Sequence, residues 1–531
     1  VTQTYDVVVV GTGPSGLTLA NILGRLAVRV LVLEKDPALS PLPKALNIDD
    51  EFFRLLSTLG LGKAVAEHAK YPISYDYVSP LGLTLAHVDG RLTEHNFPNR
   101  AAIFQPRFEE ILYEGALATG YVDVRFGSEV TGFTQDGDGV HVTSTHADGS
   151  VTHDTGRFLV GADGAHSVCR KQLGIPLDEV DGFNIRHVVI DVLDDIDDSP
   201  LALTRMGWRR NFFSMPAPNG RRFEFSLRPE ETADQLLDDT TLRKLFKPYR
   251  DYDSLKIIRK VVHTFRSLLA ARLGKGRAFL IGDAAHLMPV FGSQGMNSGA
   301  RDAGNLGWKL ARVIRGGAPP ALLDTYHDER WEAVRRTIRM ATVNGKLQAV
   351  HSPVVSLLRD LFFGLLRLVP PARRYIANMK YVPKPFLRSR LIEQGAETGA
   401  DHEVVGRLLP NPTIRTQDGE RKLDDVIGLR FAIVGVDTSQ VPPDILSFAR
   451  TLDARVVSVS PREATPSVKN ASEPDAGVVT VNVVDDRLDA ILAGYHGQWL
   501  LVRPDRIVST AGTTEQFTSR AGTIAAAVGT T

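Results

Sequence analysis

One cysteine, Cys169, stands in 531 residues, and its isolation excludes an intramolecular disulfide, a CxxC redox pair and a cysteine-based zinc cluster. No metal site is expected. An excess of either charge is also missing: 62 basic residues face 62 acidic ones, so the chain as a whole has no electrostatic bias towards nucleic acid or an acidic membrane. The first strand begins almost at once, at Tyr5, which leaves no space for the basic and then apolar regions of a signal peptide; export is not expected, and a reducing cytoplasm fits. Long hydrophobic runs are scarce. An apolar stretch from Val354 to Val369 is interrupted by Arg359, Asp360 and Arg367 and falls short of the ~20 residues that a membrane-spanning helix needs. No membrane span is expected there, and a helix buried in the protein or at a subunit contact is preferred to one at a membrane surface.

What is present suits a soluble globular protein of two or three domains: 43% of residues are hydrophobic and 23% charged, and single cores stop growing near ~250–300 residues. Tyr5 to Val10 reads as a fully buried strand. Gly11-Thr12-Gly13-Pro14-Ser15-Gly16 then turns into a helix from Leu17 to Leu26, and Val28 to Leu33 forms a second apolar strand ending at Glu34 and Lys35. G-x-G-x-x-G between a strand and a helix sets backbone N–H groups and a positive helix end against a pyrophosphate. A carboxylate about 20 residues on accepts hydrogen bonds from a ribose and repels a 2′-phosphate. Residues 281 to 310 offer the same physics. A strand ends at Ile281, Gly282-Asp283 follow, a glycine-rich loop runs through Pro289 and Val290, and an amphipathic helix begins near Gly295-Met296-Asn297. Two such helix starts suit a large anionic cofactor.

Elsewhere the pattern predicts a helix over Glu51 to Ala69, strands and turns from Tyr71 to Asn96, a helix from Phe108 to Thr119, and a hairpin from Val122 to Thr145 around Asp136-Gly137-Asp138-Gly139. Asn184 to Val192 and Phe212 to Leu227 read as strands of a mixed sheet that breaks the α/β alternation. Leu322 to about Tyr375 is mainly helical, with Pro370 and Pro371 marking an end. Val382-Pro383-Lys384-Pro385 and the polar run Glu393 to Glu403 suggest a linker. Short strands at Phe431 to Val434, Arg455 to Val459, Val478 to Val484 and Trp499 to Val502, with helices near Pro443 to Leu452 and Thr514 to Val528, mark a separate C-terminal unit.

With Phe158-Leu159-Val160-Gly161-Ala162-Asp163-Gly164 and the following residues to Arg170 lying between the two glycine motifs, the chain resembles the class A flavoprotein monooxygenases, the single-component aromatic hydroxylases, over roughly residues 4 to 345. Pro43 to Glu51, Phe104-Gln105-Pro106-Arg107-Phe108-Glu109, and Met288-Pro289-Val290 with Asn297 to Asp302 are similar to the 3-(3-hydroxyphenyl)propionate hydroxylase branch. The resemblance implies an α/β fold with a Rossmann-like FAD-binding domain of the para-hydroxybenzoate hydroxylase type over 1–175, including some substrate-domain strands near 71–100. It further implies an inserted mixed-sheet substrate domain over 176–275, the G-D motif and a helical segment over 276–395, and a thioredoxin-like domain over 396–531. For that last domain a structural or dimerising role is the default, which makes a homodimer the candidate assembly.

The resemblance also implies a reaction in which NADPH or NADH reduces FAD, O₂ gives a flavin C4a-hydroperoxide, and a small phenolic substrate such as 3-(3-hydroxyphenyl)propanoate is hydroxylated. In that family Gly11, Gly13, Pro14, Ser15 and Gly16 hold the ADP of FAD, with Glu34 and Lys35 beside its ribose. Lys44 stands where relatives often carry an arginine near the pyrophosphate, and Gln105 matches a glutamine near the ribityl chain. Gly282-Asp283 binds the ribityl and pyrophosphate region, Asp163 serves both FAD and the nicotinamide cofactor, and Gly295, Met296 and Asn297 meet the flavin ring. Pro289 and Val290 occupy the loop beside the reacting flavin carbon, where many relatives have two prolines. Asp49 is a candidate general base, with a helix N-cap as its competing reading, and His286 is read as structural. The alternatives are a polyketide or antibiotic tailoring oxygenase of the same fold, acting by hydroxylation or Baeyer–Villiger insertion, and a noncatalytic FAD-fold binding protein.

Overall fold

The computed structural model describes residues 4–382, 386–393, 404–416, 419–438, 440–460, 478–485, 492 and 494–529. Pro383-Lys384-Pro385 and residues 394–403 of the expected linker lie outside them.

A strand that is apolar on both faces belongs in the middle of a sheet covered by helices. Thr4–Val10 sits there, paired in parallel with Val30–Leu33 on one side and Val151–Gly161 on the other, with Val7, Val8 and Val9 fully buried. The parallel run extends to Val122–Arg125 beyond one neighbour and to Ala278–Leu280 beyond the other. The helices Pro14–Arg25 and Gly295–Ile314 pack against each other, which brings the two glycine motifs together.

Two local expectations change. Val122 to Thr145 is not a single hairpin, because Val122–Arg125 joins the parallel sheet with Val30 opposite Val122; the hairpin itself is Ser128–Gln135 with Val140–His146. The helix expected over 51–69 is split into Asp50–Thr58 and Gly62–Glu67. Gly60, at φ +73°, takes a left-handed turn that other residues adopt only with strain.

A second sheet of eight strands roofs the cofactor domain. Leu177–Leu193 lies between Lys256–Ala270 and Gly220–Ser226, and the sheet continues through Phe212–Ala217 and Leu201–Arg205 to Ser74–Val78 and Thr84–Val88. It therefore draws strands from well before residue 176, and His286–Leu287 adds a short edge to it. Val188, Ile190, Phe212, Phe223 and Phe225 pack one face against Leu242 and Phe246. Because side chains alternate across a strand, Tyr77, Thr204, Phe213 and Glu224 point the other way. They form one row across the sheet: Tyr77 opposite Thr204, Thr204 opposite Phe213, and Phe213 opposite Glu224.

Three helices follow, Asp324–Gln348, Pro353–Arg367 and Pro370–Ala377. Pro370 and Pro371 open the third helix instead of closing the helical region, since the first helical turn needs no N–H from them. The apolar stretch 354–369 is not buried within the chain, which leaves the subunit-contact part of the expectation untested: its helix turns Ser356 and Arg359 inward and leaves Leu357, Leu358, Leu361 and Leu365 exposed. Among the described residues no single helix is long and apolar enough to cross a membrane.

The C-terminal unit has three parallel strands, Ala432–Val436, Arg455–Ser460 and Val478–Val483, and an antiparallel flank of Gln498–Val502 and Val508–Gly512. Its helices Pro443–Leu452 and Thr514–Val528 fall on the expected residues. Buried ion pairs fix its docking. Arg503 meets Glu329 at 2.6 Å, Lys309 meets the same carboxylate at 2.9 Å, and Asp424 lies between Arg54 at 2.6 Å and Arg506 at 2.8 Å.

Candidate active site

The glycines of the first motif have different jobs. Gly11 has φ +108°, and a Cβ there would lie 2.5 Å from the Ala162 carbonyl oxygen, while a Cβ at Gly16 would overlap the carbonyl of Gly11. Both permit the tight turn. Nothing lies within 4 Å of a Cβ at Gly13, so the backbone there is open to close approach by a ligand. Pro14 takes the first helical position. Ser15 joins the motifs, since a Cβ at Gly282 or Gly299 would overlap its Oγ. Glu34 Oε2 accepts from the Thr12 N–H at 2.9 Å and hydroxyl at 2.8 Å, which sets this carboxylate beside the glycine loop; Lys35 is exposed next to it.

The Lys44 side chain is exposed, but its backbone is clamped. Its N–H donates to Gln105 Oε1 at 2.9 Å, as does that of Ala45, and Arg222 donates to the carbonyls of Pro43 and Lys44 at 2.8 and 2.9 Å. Gln105 is itself buried and donates to Glu109 at 2.6 Å, so its role is to shape the 43–45 turn. Asp49 caps the helix Asp50–Thr58 by accepting from the Phe52 N–H at 3.0 Å through Oδ1, and its Oδ2 pairs with Arg301. With both oxygens committed, Asp49 is a cap and ion-pair partner, and the expectation of a general base there is corrected.

Asp163 accepts from the Ser167 hydroxyl at 2.5 Å and the Cys169 N–H at 3.0 Å. Arg170, seven residues on, donates to the Ala284 carbonyl at 2.9 Å, tying the D-G segment to the G-D turn. That turn hangs on Asp302. Its Oδ2 accepts from the Gly282 N–H at 3.1 Å and lies 2.7 Å from His286 Nε2, and its Oδ1 accepts from Arg330 at 2.9 Å. Burial pushes the Asp302 pKa up, but His286 and Arg330 outweigh it and hold the carboxyl at about 2. His286 is thus a fully buried strut of the turn. Asp283 contrasts with it: its carboxylate is exposed and accepts no hydrogen bond among the described residues.

The helix Gly295–Ile314 begins without a side-chain cap, which leaves the first backbone N–H groups, from Gly295 through Met296 to Asn297, with no intrahelical acceptor. The Asn297 side chain instead braces the approach, accepting from the Asp49 N–H at 3.0 Å and donating to the Ser293 carbonyl at 2.7 Å. The open backbone at Gly13, the uncapped helix start and the unpartnered Asp283 fit FAD, whose phosphates need N–H groups and whose hydroxyls need acceptors.

A second cleft starts where the glycine loop ends. It holds about 700 Å³, counting space open to solvent, between the loop Val290–Ser293 and the free face of the roofing sheet, from which Tyr75, Phe213, Met215 and Glu224 project. Val290 lines this cleft, and Pro289 is buried one residue before it. Arg100 forms part of the wall. It is 5% exposed and donates to the carbonyls of Asn99 at 2.8 Å and Gly292 at 3.1 Å, yet it makes no ion pair among the described residues. The Tyr75 hydroxyl is buried without a partner, and burial pushes its pKa up to about 12. Glu224 lies 2.9 Å from His187 Nδ1; burial opposes its ionisation, but the bond to His187 holds it below the usual carboxylate range. His187 stacks on Phe213 with ring centroids 5.0 Å apart, and its Nε2 is buried with no partner. Sequence reasoning missed Arg100, Tyr75 and Glu224. The signal available was a charge where the strand is otherwise apolar, as in Phe223-Glu224-Phe225.

Comparison with known proteins gives a consistent result. The family described as an FAD binding domain matches residues 4–341, and one described as the HcaD C-terminal domain matches residues 406–527. The chain is 33% identical to a 3-(3-hydroxy-phenyl)propionate/3-hydroxycinnamic acid hydroxylase of Comamonas testosteroni, covering 97% of this chain and 95% of that one. It is equally 33% identical to the protein of the same name from Paraburkholderia xenovorans, covering 99% and 91%. Among solved structures it is similar to OxyS anhydrotetracycline hydroxylase from Streptomyces rimosus, with a TM-score of 0.77, 28% identity and 99% of both chains covered. The flavin-dependent monooxygenase PieE, solved with FAD and substrate, shares the fold at a TM-score of 0.78 and 21% identity over 99% of both chains.

Proposed function

This chain belongs to the FAD-binding-domain family of flavoprotein aromatic hydroxylases, and from that premise we propose that it hydroxylates a phenol bearing a carboxylate side chain, of the 3-(3-hydroxyphenyl)propanoate type, using NADPH or NADH and O₂. Arg100 carries this reading. A guanidinium buried without an ion pair is costly, and one that keeps free donors on the wall of an aromatic cleft suits an incoming carboxylate. The aromatic ring then lies against Phe213, Met215 and Val290, next to the loop that follows Pro289.

When bound, FAD would take two electrons from NAD(P)H and combine with O₂, so supplying an electrophilic oxygen to the ring. The residues that would hold it are Gly11 to Gly16 with Glu34 and Lys35, the turn Gly282-Asp283, the helix start at Gly295 to Asn297, and Lys44 and Asp163 at the margins. Glu224 accepts the hydrogen bond from the phenol O–H, drawing the proton away and enriching the ring in electrons; His187 stands behind it to share the charge. Tyr75 stays protonated and serves as a donor. The roofing sheet excludes water, which protects the reactive oxygen.

We read the C-terminal unit as thioredoxin-like from its three parallel strands and antiparallel flank. Lacking a CxxC pair, it is structural. The likeness to OxyS supports a second reading, a polyketide tailoring hydroxylase, but a neutral polycycle would leave Arg100 unpaired. The test is NAD(P)H oxidation by the purified yellow protein with 3-(3-hydroxyphenyl)propionate. Stimulation, with hydroxylated product matching the NAD(P)H consumed, supports the reading. Stimulation by polycyclic phenols alone favours the second.

A further inference from the structure

The helix Pro353–Arg367 is built inside out. Its buried residues are Ser356 and Arg359, and Arg359 is held there by the carbonyls of Met206 at 2.8 Å and Leu347 at 3.2 Å and by Asp360 at 2.8 Å. The outer face carries Val354, Leu357, Leu358, Leu361, Leu365 and, one residue past the helix, Leu368. They are spaced i, i+3, i+4, i+7, i+11 and i+14 and are 56% to 76% exposed. Leu81, 89% exposed, and Leu83 widen the patch from the turn before Thr84–Val88, a strand that packs on this helix and to which Arg367 donates at Thr84. The next helix, Pro370–Ala377, buries no residue at all. A continuous apolar face of this kind marks a contact surface.

Charge selects the partner. Between Pro353 and Lys380 the bases are Arg359, Arg367, Arg373, Arg374 and Lys380, five against the one acid Asp360, which Arg359 engages. Arg373, Arg374 and Lys380 are exposed. A second copy docked through the same patch on both subunits would bring these cations together, whereas an apolar face flanked by arginines is the pattern of a helix lying in a lipid interface.

We propose that this face seats the enzyme on an anionic lipid bilayer, with the helix lying in the headgroup plane and not crossing it. Gln348, just before the helix, and Met379 and Tyr381, just after the next one, line the cleft beside Arg100. Docking therefore brings the cleft's rim to the interface.

Co-sedimentation of the FAD-loaded protein with phosphatidylglycerol-containing vesicles, against pure phosphatidylcholine, tests this. The expected result is binding to the anionic vesicles that weakens with salt, and a loss of about tenfold or more in both the Leu361→Asp/Leu365→Asp and the Arg373→Glu/Arg374→Glu variants. Unchanged FAD content in those variants would show that their fold is intact. Absence of binding to anionic vesicles at low salt overturns the proposal. So does light scattering that finds a dimer which Leu361→Asp/Leu365→Asp turns into monomers, because the face would then be a subunit contact.

Discussion

Glu224 Oε2 and His187 Nδ1 lie 2.9 Å apart in the roofing sheet, both residues buried, with the carboxylate facing the cleft and the imidazole behind it. The proton acceptance proposed above therefore falls to the sheet. Glu224→Gln should lower kcat about 100-fold or more at unchanged FAD content, and His187→Gln by less. Because His187 overcomes the effect of burial and holds Glu224 below its ordinary value of 4.5, the carboxylate is ionised throughout the neutral range. The kcat/KM profile should show no fall from this group until the pH drops below that value. An acid limb near neutrality that vanishes in Glu224→Gln would contradict the assignment.

Ser15 Oγ occupies the space that a Cβ at Gly299 would need. Gly299→Ala should destabilise the protein by roughly 1–3 kcal/mol through overpacking and loosen FAD. Adding Ser15→Ala removes the hydroxyl, and thermal melts of the double variant should recover part of the loss. Additive losses would show that the two sites do not press on each other.

Asp302 gives a pH signature. Its carboxyl is held at about 2 against an ordinary 3.8 by His286 and Arg330, despite burial. As pH falls, the unfolded chain takes up the proton first, so the stabilisation, on the order of 2 kcal/mol, is complete above the ordinary value and disappears between it and about 2. Asp302→Asn should melt earlier than the unsubstituted protein at neutral pH, with the gap closing as the medium approaches the lower end of that window. A gap that stays constant on acidification would remove Asp302 as its cause.

Glu329 receives both Arg503 and Lys309 in full burial. Glu329→Gln removes the carboxylate that Lys309 pairs with, leaves Arg503 with Asp505 alone, and should cost about 3–5 kcal/mol. Limited proteolysis should then release the C-terminal unit more readily. Equal resistance to proteolysis would indicate that docking depends on the apolar contacts alone.

The cofactor half of this enzyme was legible because its chemistry is local in sequence. Gly11 to Gly16 and Gly282 to Asn297 each bring a strand end, a turn and a helix start in one short run. The half proposed for the substrate was hidden because it is made by register: Tyr77, Thr204, Phe213 and Glu224 come from four strands and meet only when the sheet forms. Asp49 stayed open between two readings for a related reason. An aspartate before a helix reads as a cap or a base with equal ease, and the partner that decides between them, Arg301, lies 252 residues away. For the helix Pro353–Arg367 the apolar run left burial and a subunit contact open, and burial within the chain is excluded because the inward side is taken by Arg359.

Arg100 bears the central claim, that the cleft takes a phenol with a carboxylate. The measurement is kcat/KM for 3-(3-hydroxyphenyl)propionate and for its uncharged carboxamide, in the unsubstituted protein and in Arg100→Gln at equal FAD content. The unsubstituted protein should prefer the acid. Arg100→Gln should lose about 100-fold on the acid, as loss of one partner of a buried charge pair implies, and stay within a few-fold on the carboxamide. An equal fall on both substrates, or no preference for the acid at the outset, would contradict it.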